Sequence, residues 1–188
     1  QPVNEPDAFD LTRSLSSYEA KPIRWLWPNR IPRGKLTIIA GDPKLGKSLL
    51  TAQITAILSA GQHWPDNSGK APQGQVIFAS AEDDPADTIR PRIETAGGDV
   101  NQVHIVDTVK ELSDDGELIE RPFDLSRHLN KLEQTVAKLP NVVAVIIDPI
   151  TAYLGGTDSH KNADVRALLA PLARLAALHE VAVICVSH

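Results

Sequence analysis

Residues 41–50 read GDPKLGKSLL, and within them Gly41, Gly46, Lys47 and Ser48 fit the spacing G-x-x-x-x-G-K-S/T. That spacing serves polyphosphate chemistry. The two glycines let the backbone turn so that successive N–H groups face inward as an anion nest. A helix opening near Lys47 aims its positive end at the same point. Lys47 is then placed to reach β- and γ-phosphates, and the Ser48 hydroxyl to ligate Mg2+. The expected phosphate-binding segment is Gly41, Asp42, Pro43, Lys44, Leu45, Gly46, Lys47, Ser48 and Leu49. Lys44 stands at a variable position of the pattern and reads as a solvent-facing lysine. The alternative is contact with phosphate or a neighbouring subunit.

Hydrolysis of a nucleotide needs one carboxylate to hold hydrated Mg2+ and another to orient or deprotonate the attacking water. Asp107 follows the apolar run VHIV, and Asp148 follows the longer run VVAVII, which Pro149 ends sharply. Asp148 is the better metal acid, and Asp107 reads as a loop or cap residue. For the water the candidate is Glu82 in FASAEDD, directly after a strand-like run. Its neighbours Asp83 and Asp84 could equally cap a helix beginning near Pro85. Three adjacent acids would repel a polyphosphate, so their crowding calls for a cation nearby. His188 follows the run VICVS and should reach the same edge, as a site residue or as a plain strand end. The other five histidines lack a ligand partner at useful spacing, and with one cysteine no zinc site is expected.

The elements that must position these groups alternate. Residues 35–40, 75–79, 103–106, 142–148 and 181–187 read as short, apolar, β-rich strands. Helical patterns lie between them. Residues 48–60 place Leu49, Ala52, Ile57 and Leu58 at helical spacing, closed by Gly61. Residues 84–98 read as a helix disturbed by Pro91 and ended by Gly97 or Gly98. Residues 125–139 carry Leu125, Leu129, Leu132, Val136 and Leu139 on one face, and residues 163–180 form a helix containing Pro171. Residues 109–123 read as an exposed loop or hairpin around Asp115 and Gly116. This alternation predicts an α/β fold, a mainly parallel sheet with helices on both faces, whose ligands bind at the strands' carboxyl edge. Trp25 and Trp27 read as packing groups.

With 188 residues, 42% hydrophobic and 23% charged, the chain has the composition of one soluble domain. Its longest apolar run is far short of the ~20 residues that span a bilayer, and the N-terminus has no secretory pattern. A cytoplasmic protein without membrane contact is expected. Cys185, the single cysteine, reads as a buried reduced thiol. A net charge of −5 argues against a domain that is basic overall, while leaving room for a local basic patch. Residues 1–22 read as a loosely ordered arm and 23–188 as the core. The absence of Met and the stop at an apolar strand suggest a piece of a longer protein.

Three segments together, WLWPNRIPRGKLTIIAGDPKLGKS, FASAEDDPADTIRPRIETAGG and the stretch from VVAVIIDP to His188, resemble the RecA-like ATPases of the hexameric replicative helicase group. The likeness is greatest to the RepA type of plasmid and phage replication proteins and covers residues 23–188. It implies a RecA-like P-loop NTPase fold with ATP and Mg2+ as cofactors, Lys47 and Ser48 on phosphate and metal, and Asp148 as the Mg2+-associated acid. It further implies Glu82 as the catalytic base and His188 as a sensor. It places His160, Lys161 and Arg166 in or near a loop facing a channel for single-stranded DNA, where a solvated loop is the alternative. A homo-hexamer is implied, with primase or other replication proteins as further partners. Where Lys44 stands, such proteins often carry glycine or another small residue. They also continue beyond the equivalent of His188 with further strands and an arginine finger, so this chain alone is expected to bind nucleotide and hydrolyse it poorly. Two other functions fit the phosphate loop: a nucleotide-switched RecA-like regulatory ATPase, and a P-loop small-molecule kinase.

Overall fold

The apolar runs pair side by side. In the computed structural model, which describes residues 12–113, 115–154 and 162–187, five strands form one all-parallel sheet. They are β3 (Leu36–Ala40), β4 (Gln75–Ser80), β5 (Val103–Ile105), β8 (Val142–Asp148) and β9 (Ala182–Ser187), in the spatial order β3-β9-β8-β4-β5. Parallel neighbours require crossovers, and helices α1 (Lys47–Ala60), α2 (Arg90–Thr95), α3 (Leu125–Lys138) and α4 (Asn162–His179) supply them.

The helices divide between the two faces, which is why the inner strands are apolar at every position. Val76 and Phe78 of β4 share a core with Ile54, Ala56 and Leu58 of α1 and Ile93 of α2. Ile77 and Ala79, pointing the other way, share a second core with Leu132 and Val136 of α3 and Leu172 and Leu175 of α4. Every residue of β8 is buried. The α/β architecture with both faces covered is thus as the sequence predicts.

Three local features differ from expectation or refine it. The segment after β4 is two elements: a π-helical turn, Pro85–Ile89, capped by Asp84, leads into α2. Pro91 therefore sits in the first turn of a helix, where a missing N–H costs little. Residues 109–123 do form a hairpin, β6 (Thr108–Leu112) against β7 (Leu118–Pro122), turning through Gly116 at φ 80°. Near the chain start, β1 (Trp25–Trp27) and β2 (Ile31–Pro32) make a small antiparallel ribbon.

From that ribbon Trp27 stacks on Trp64 with ring centroids 4.4 Å apart and planes 3° from parallel. The Trp27 indole N–H donates to Asp66 at 3.0 Å, and Arg30 pairs with the same carboxylate at 2.9 Å. A side-chain hydrogen bond with Ser68 is the chief reason Asp66 is held below the usual carboxylate range. Trp25, by contrast, is exposed, so only one of the two tryptophans acts as the packing group expected.

Candidate functional site

The loop between β3 and α1 leaves the sheet at its carboxyl edge. Gly46 takes φ 82° immediately before α1, a conformation that favours glycine, and its carbonyl accepts the helix's first hydrogen bond, from Leu50 at 3.0 Å. Gly41 is different: its φ is not positive, and an added Cβ would make only ordinary contacts, with Leu45 at 3.6 Å. The turn thus depends on glycine at one end of the pattern. Lys44 has φ 68°, a left-handed conformation that costs a side-chain-bearing residue energy. This accounts physically for a preference for glycine there.

Lys47, at the start of α1, is 8% exposed, and its ammonium donates to the carbonyls of Gly41 and Asp42, both at 2.8 Å. The loop therefore satisfies the lysine with its own backbone. A phosphate entering the nest would replace two neutral acceptors by charged ones, which bind an ammonium more strongly.

Two strands away, Asp148 ends β8 in register with Ser80 of β4. It is 3% exposed, and its Oδ2 accepts the Thr51 hydroxyl at 2.8 Å. Its Oδ1 is buried without a hydrogen-bond partner among the described residues. Burial raises the pKa of this carboxyl; hydrogen bonds from Thr51 and then Ser48 oppose the rise, and repulsion from Glu82 and Asp83 adds to it. A buried carboxylate with an open oxygen, pushed towards its neutral form by burial and further by neighbouring acids, fits a cation. Among the described residues no group of three or more His, Cys, Asp or Glu could hold a metal by itself. The Asp148 carboxylate with the Ser48 hydroxyl beside it is a donor set that fits Mg2+, which takes one or two protein ligands and completes its shell with phosphate and water. Asp107 follows β5 at the sheet's far edge and is exposed.

A cavity of about 660 Å3 opens over the loop. Pro43, Lys44, Gly46, Lys47, Ser48 and Leu49 line one side, and Glu82, Asp83 and Arg92 the other. The three adjacent acids have separate environments. Asp84 caps the π-helical turn by accepting from the N–H groups of Ala86 and Asp87. Asp83 is paired with Arg92 at 2.6 Å, both partly buried. Glu82 faces the cavity that holds Lys47 and Ser48. The cation that crowding called for is thus Arg92.

Of the expected site residues, the structure brings Lys47, Ser48, Glu82 and, beneath them, Asp148 to one edge of the sheet. Leu45 is 70% exposed, and Leu49, the last residue of the expected phosphate-binding segment, is 58% exposed at the cavity. His188, His160 and Lys161 lie outside the described residues, and Arg166 is placed only as a position on α4. Arg92 and Thr51 were not legible as site residues. Thr51 follows Lys47 by one helical turn, which was the available signal; Arg92 offers none, because its partner precedes an irregular turn.

Residues 2–188 match the model of a family described as an AAA domain. Among curated proteins, none matches the chain.

Proposed function

The chain belongs to the AAA domain family, which makes it a P-loop ATPase domain, and from that premise we propose a Mg2+-dependent ATP-hydrolysing ring motor that acts on single-stranded DNA in replication. The observation that carries hydrolysis is the meeting of Lys47, Ser48 and Glu82 in one cavity above Asp148. Lys47 exchanges its backbone carbonyls for the terminal phosphates. Glu82, facing Lys47 across the cavity, accepts a proton from the attacking water and orients it. Ser48 and the open Oδ1 of Asp148 would hold Mg2+ directly or through water. Held by these residues, Mg2+ would supply neutralisation of the charge developing on the phosphates. His188, which follows β9 in sequence, has the sensor role that the family resemblance gives it.

Ring assembly is supported by the cations at hand. Lys44, Lys47 and Arg92 are those lining the cavity among the described residues, and Arg92 is held by Asp83. A further positive charge on the leaving phosphate would come from a neighbouring subunit, the arrangement in which an arginine is supplied in trans. A homo-hexamer would also gather scattered loop charges, including His160, Lys161 and Arg166, into one channel, which reconciles a net charge of −5 with binding to single-stranded DNA. Primase and other replication proteins are the further partners of such a motor, and its place is the cytoplasm. Among the described residues no helix is long and apolar enough to cross a membrane.

The test is ATP turnover by the full-length chain with and without single-stranded DNA. Stimulation by DNA that falls as salt rises, together with turnover abolished but binding kept in Glu82→Gln, is expected. Turnover indifferent to DNA at every salt concentration would overturn the motor reading and favour a regulatory ATPase. Phosphate transfer to a small acceptor would favour a kinase.

A further inference from the structure

The hairpin of β6 and β7 carries two surfaces that complement each other and that one copy cannot bring together. At its tip Leu112 and Leu118 are cross-strand partners, 71% and 68% exposed. The residues between them read SDDGE, three acids and no cation. At its base a crevice of about 390 Å3 opens between the hairpin and α3, floored by Phe123 and Leu132 and rimmed by Lys110, Lys131 and Lys138. We propose that the tip of one copy docks in the crevice of a second copy, leucines to the floor and acids to the lysines, an inference that rests on the ring assembly read above and names one of its contacts.

Charge is the first argument. In a chain of net charge −5 the crevice is locally basic, with Asp107 as the one acid lining it among the described residues. None of the three lysines has an ion pair among the described residues. Lys131 donates to the backbone carbonyl of Lys110 at 2.9 Å, which leaves its charge uncompensated. Asp115 and Glu117 at the tip are exposed and equally without an ion pair among the described residues. The floor then selects the class of partner. Bases of a nucleic acid need an aromatic face to stack on, but Phe123 is buried. Apolar side chains flanked by acids fit both floor and rim.

Geometry is the second argument. The tip is closed by its own hydrogen bonds: the Ser113 N–H donates to the Glu117 carbonyl at 2.8 Å, the Gly116 N–H to the Ser113 carbonyl at 2.9 Å, and the Glu117 N–H to the Ser113 hydroxyl at 3.1 Å. A tip formed in advance loses little freedom on docking. The base of the hairpin is braced, because Glu111 of β6 pairs with Arg121 of β7 at 2.9 Å and lies 3.3 Å from the buried His128 of α3. Leu112 stands three residues beyond Val109, about 10 Å along a strand. A braced hairpin therefore holds its leucines away from its own crevice, and a second copy supplies them. Two different patches meet in this contact, so each copy can give a tip to one neighbour and take one from another, the arrangement that closes rings.

Sedimentation equilibrium of the full-length chain with Mg2+ and ATP tests this through two charge reversals. Asp115→Lys with Glu117→Lys makes the tip basic, and Lys110→Glu with Lys138→Glu makes the crevice acidic. Each variant alone brings like charges together and should associate at least about tenfold more weakly than the unaltered protein, with its circular dichroism spectrum unchanged. Mixed in equal amounts the two should recover association, since every tip then finds a crevice of opposite sign. Leu112→Ser with Leu118→Ser, at exposed positions that folding does not use, should weaken association as well. Variants that assemble like the unaltered protein, or a mixture that restores nothing, would overturn the contact and leave ring assembly standing. An unaltered protein that stays monomeric with Mg2+ and ATP would overturn both. Weakened binding of a single-stranded oligonucleotide by the lysine variant, at unchanged mass, would give the crevice to nucleic acid and overturn the proposal too.

Discussion

Thr51, one helical turn into α1, donates its hydroxyl to Asp148 at the end of β8, joining the phosphate loop's helix to a strand two places across the sheet. The bond holds a carboxylate that the fold itself disfavours. Asp148 has a raised pKa in the folded chain and an ordinary one when unfolded, so its ionisation weakens folding as pH rises above the unfolded value. Asp148→Asn keeps an acceptor for Thr51 without the charge. It should melt at a higher temperature than the unaltered protein at pH 7 without nucleotide, and the gap should narrow as pH is lowered towards 4. ATP turnover should be lost. Thermal melts at several pH values check the first outcome, and a melting temperature unchanged at pH 7 would contradict it.

Relief of backbone strain is expected in Lys44→Gly. The left-handed conformation of Lys44 costs about 1–2 kcal/mol, part of which glycine returns through the greater freedom of its unfolded chain. A net gain of roughly 0.5–1 kcal/mol should appear in urea unfolding. Lys44→Ala keeps the strain and removes the charge, so comparing its nucleotide affinity with that of the unaltered protein isolates the ammonium's own contribution.

Removing Arg92 would leave Asp83 unpaired beside Glu82 and Asp148. Asp148, raised by burial and further by the Asp83 charge, would then feel more negative charge and hold its proton to higher pH. The acid limb of the pH–rate profile should move to higher pH in Arg92→Ala, with Arg92→Lys intermediate. A profile that drops in height without moving would assign Arg92 to a different task. The cost in stability should be modest, about 1 kcal/mol or less, because the pair is only partly buried.

A Cβ added at Gly98 would lie 2.7 Å from the Ala56 Cα and 2.6 Å from an Ile93 methyl, where the end of α2 meets α1. Backbone cannot retreat as a flexible side chain can. Gly98→Ala should therefore lose about 1–3 kcal/mol in denaturant unfolding and, by displacing α2, weaken nucleotide binding as well.

The alternation of apolar runs and helical patterns made the parallel sheet, its covered faces and the phosphate loop readable, because each is encoded within a dozen neighbouring residues. What was not readable depends on distance. Helical spacing grouped Leu49 with Ala52, Ile57 and Leu58, yet it alone of the four is exposed, since periodicity does not say whether protein or an open cavity lies against a residue. The Asp83–Arg92 pair spans nine residues across an irregular turn, so no regular spacing announced it. Lys44 looked merely tolerated, and only its φ reveals a cost. The Trp27–Trp64 stack joins groups brought together through a ribbon too short to give a strand pattern.

That stack also determines what light can report. All three tryptophans lie before β3 or after α1, near the sheet's amino edge and about the length of α1, roughly 20 Å, from the phosphate loop. Trp27 and Trp64, in parallel contact, should couple as a pair of chromophores and give a near-ultraviolet dichroism that vanishes when the fold opens. Their emission will follow unfolding faithfully and stay silent when nucleotide enters, so occupancy of the site must be followed with a label carried by the ligand.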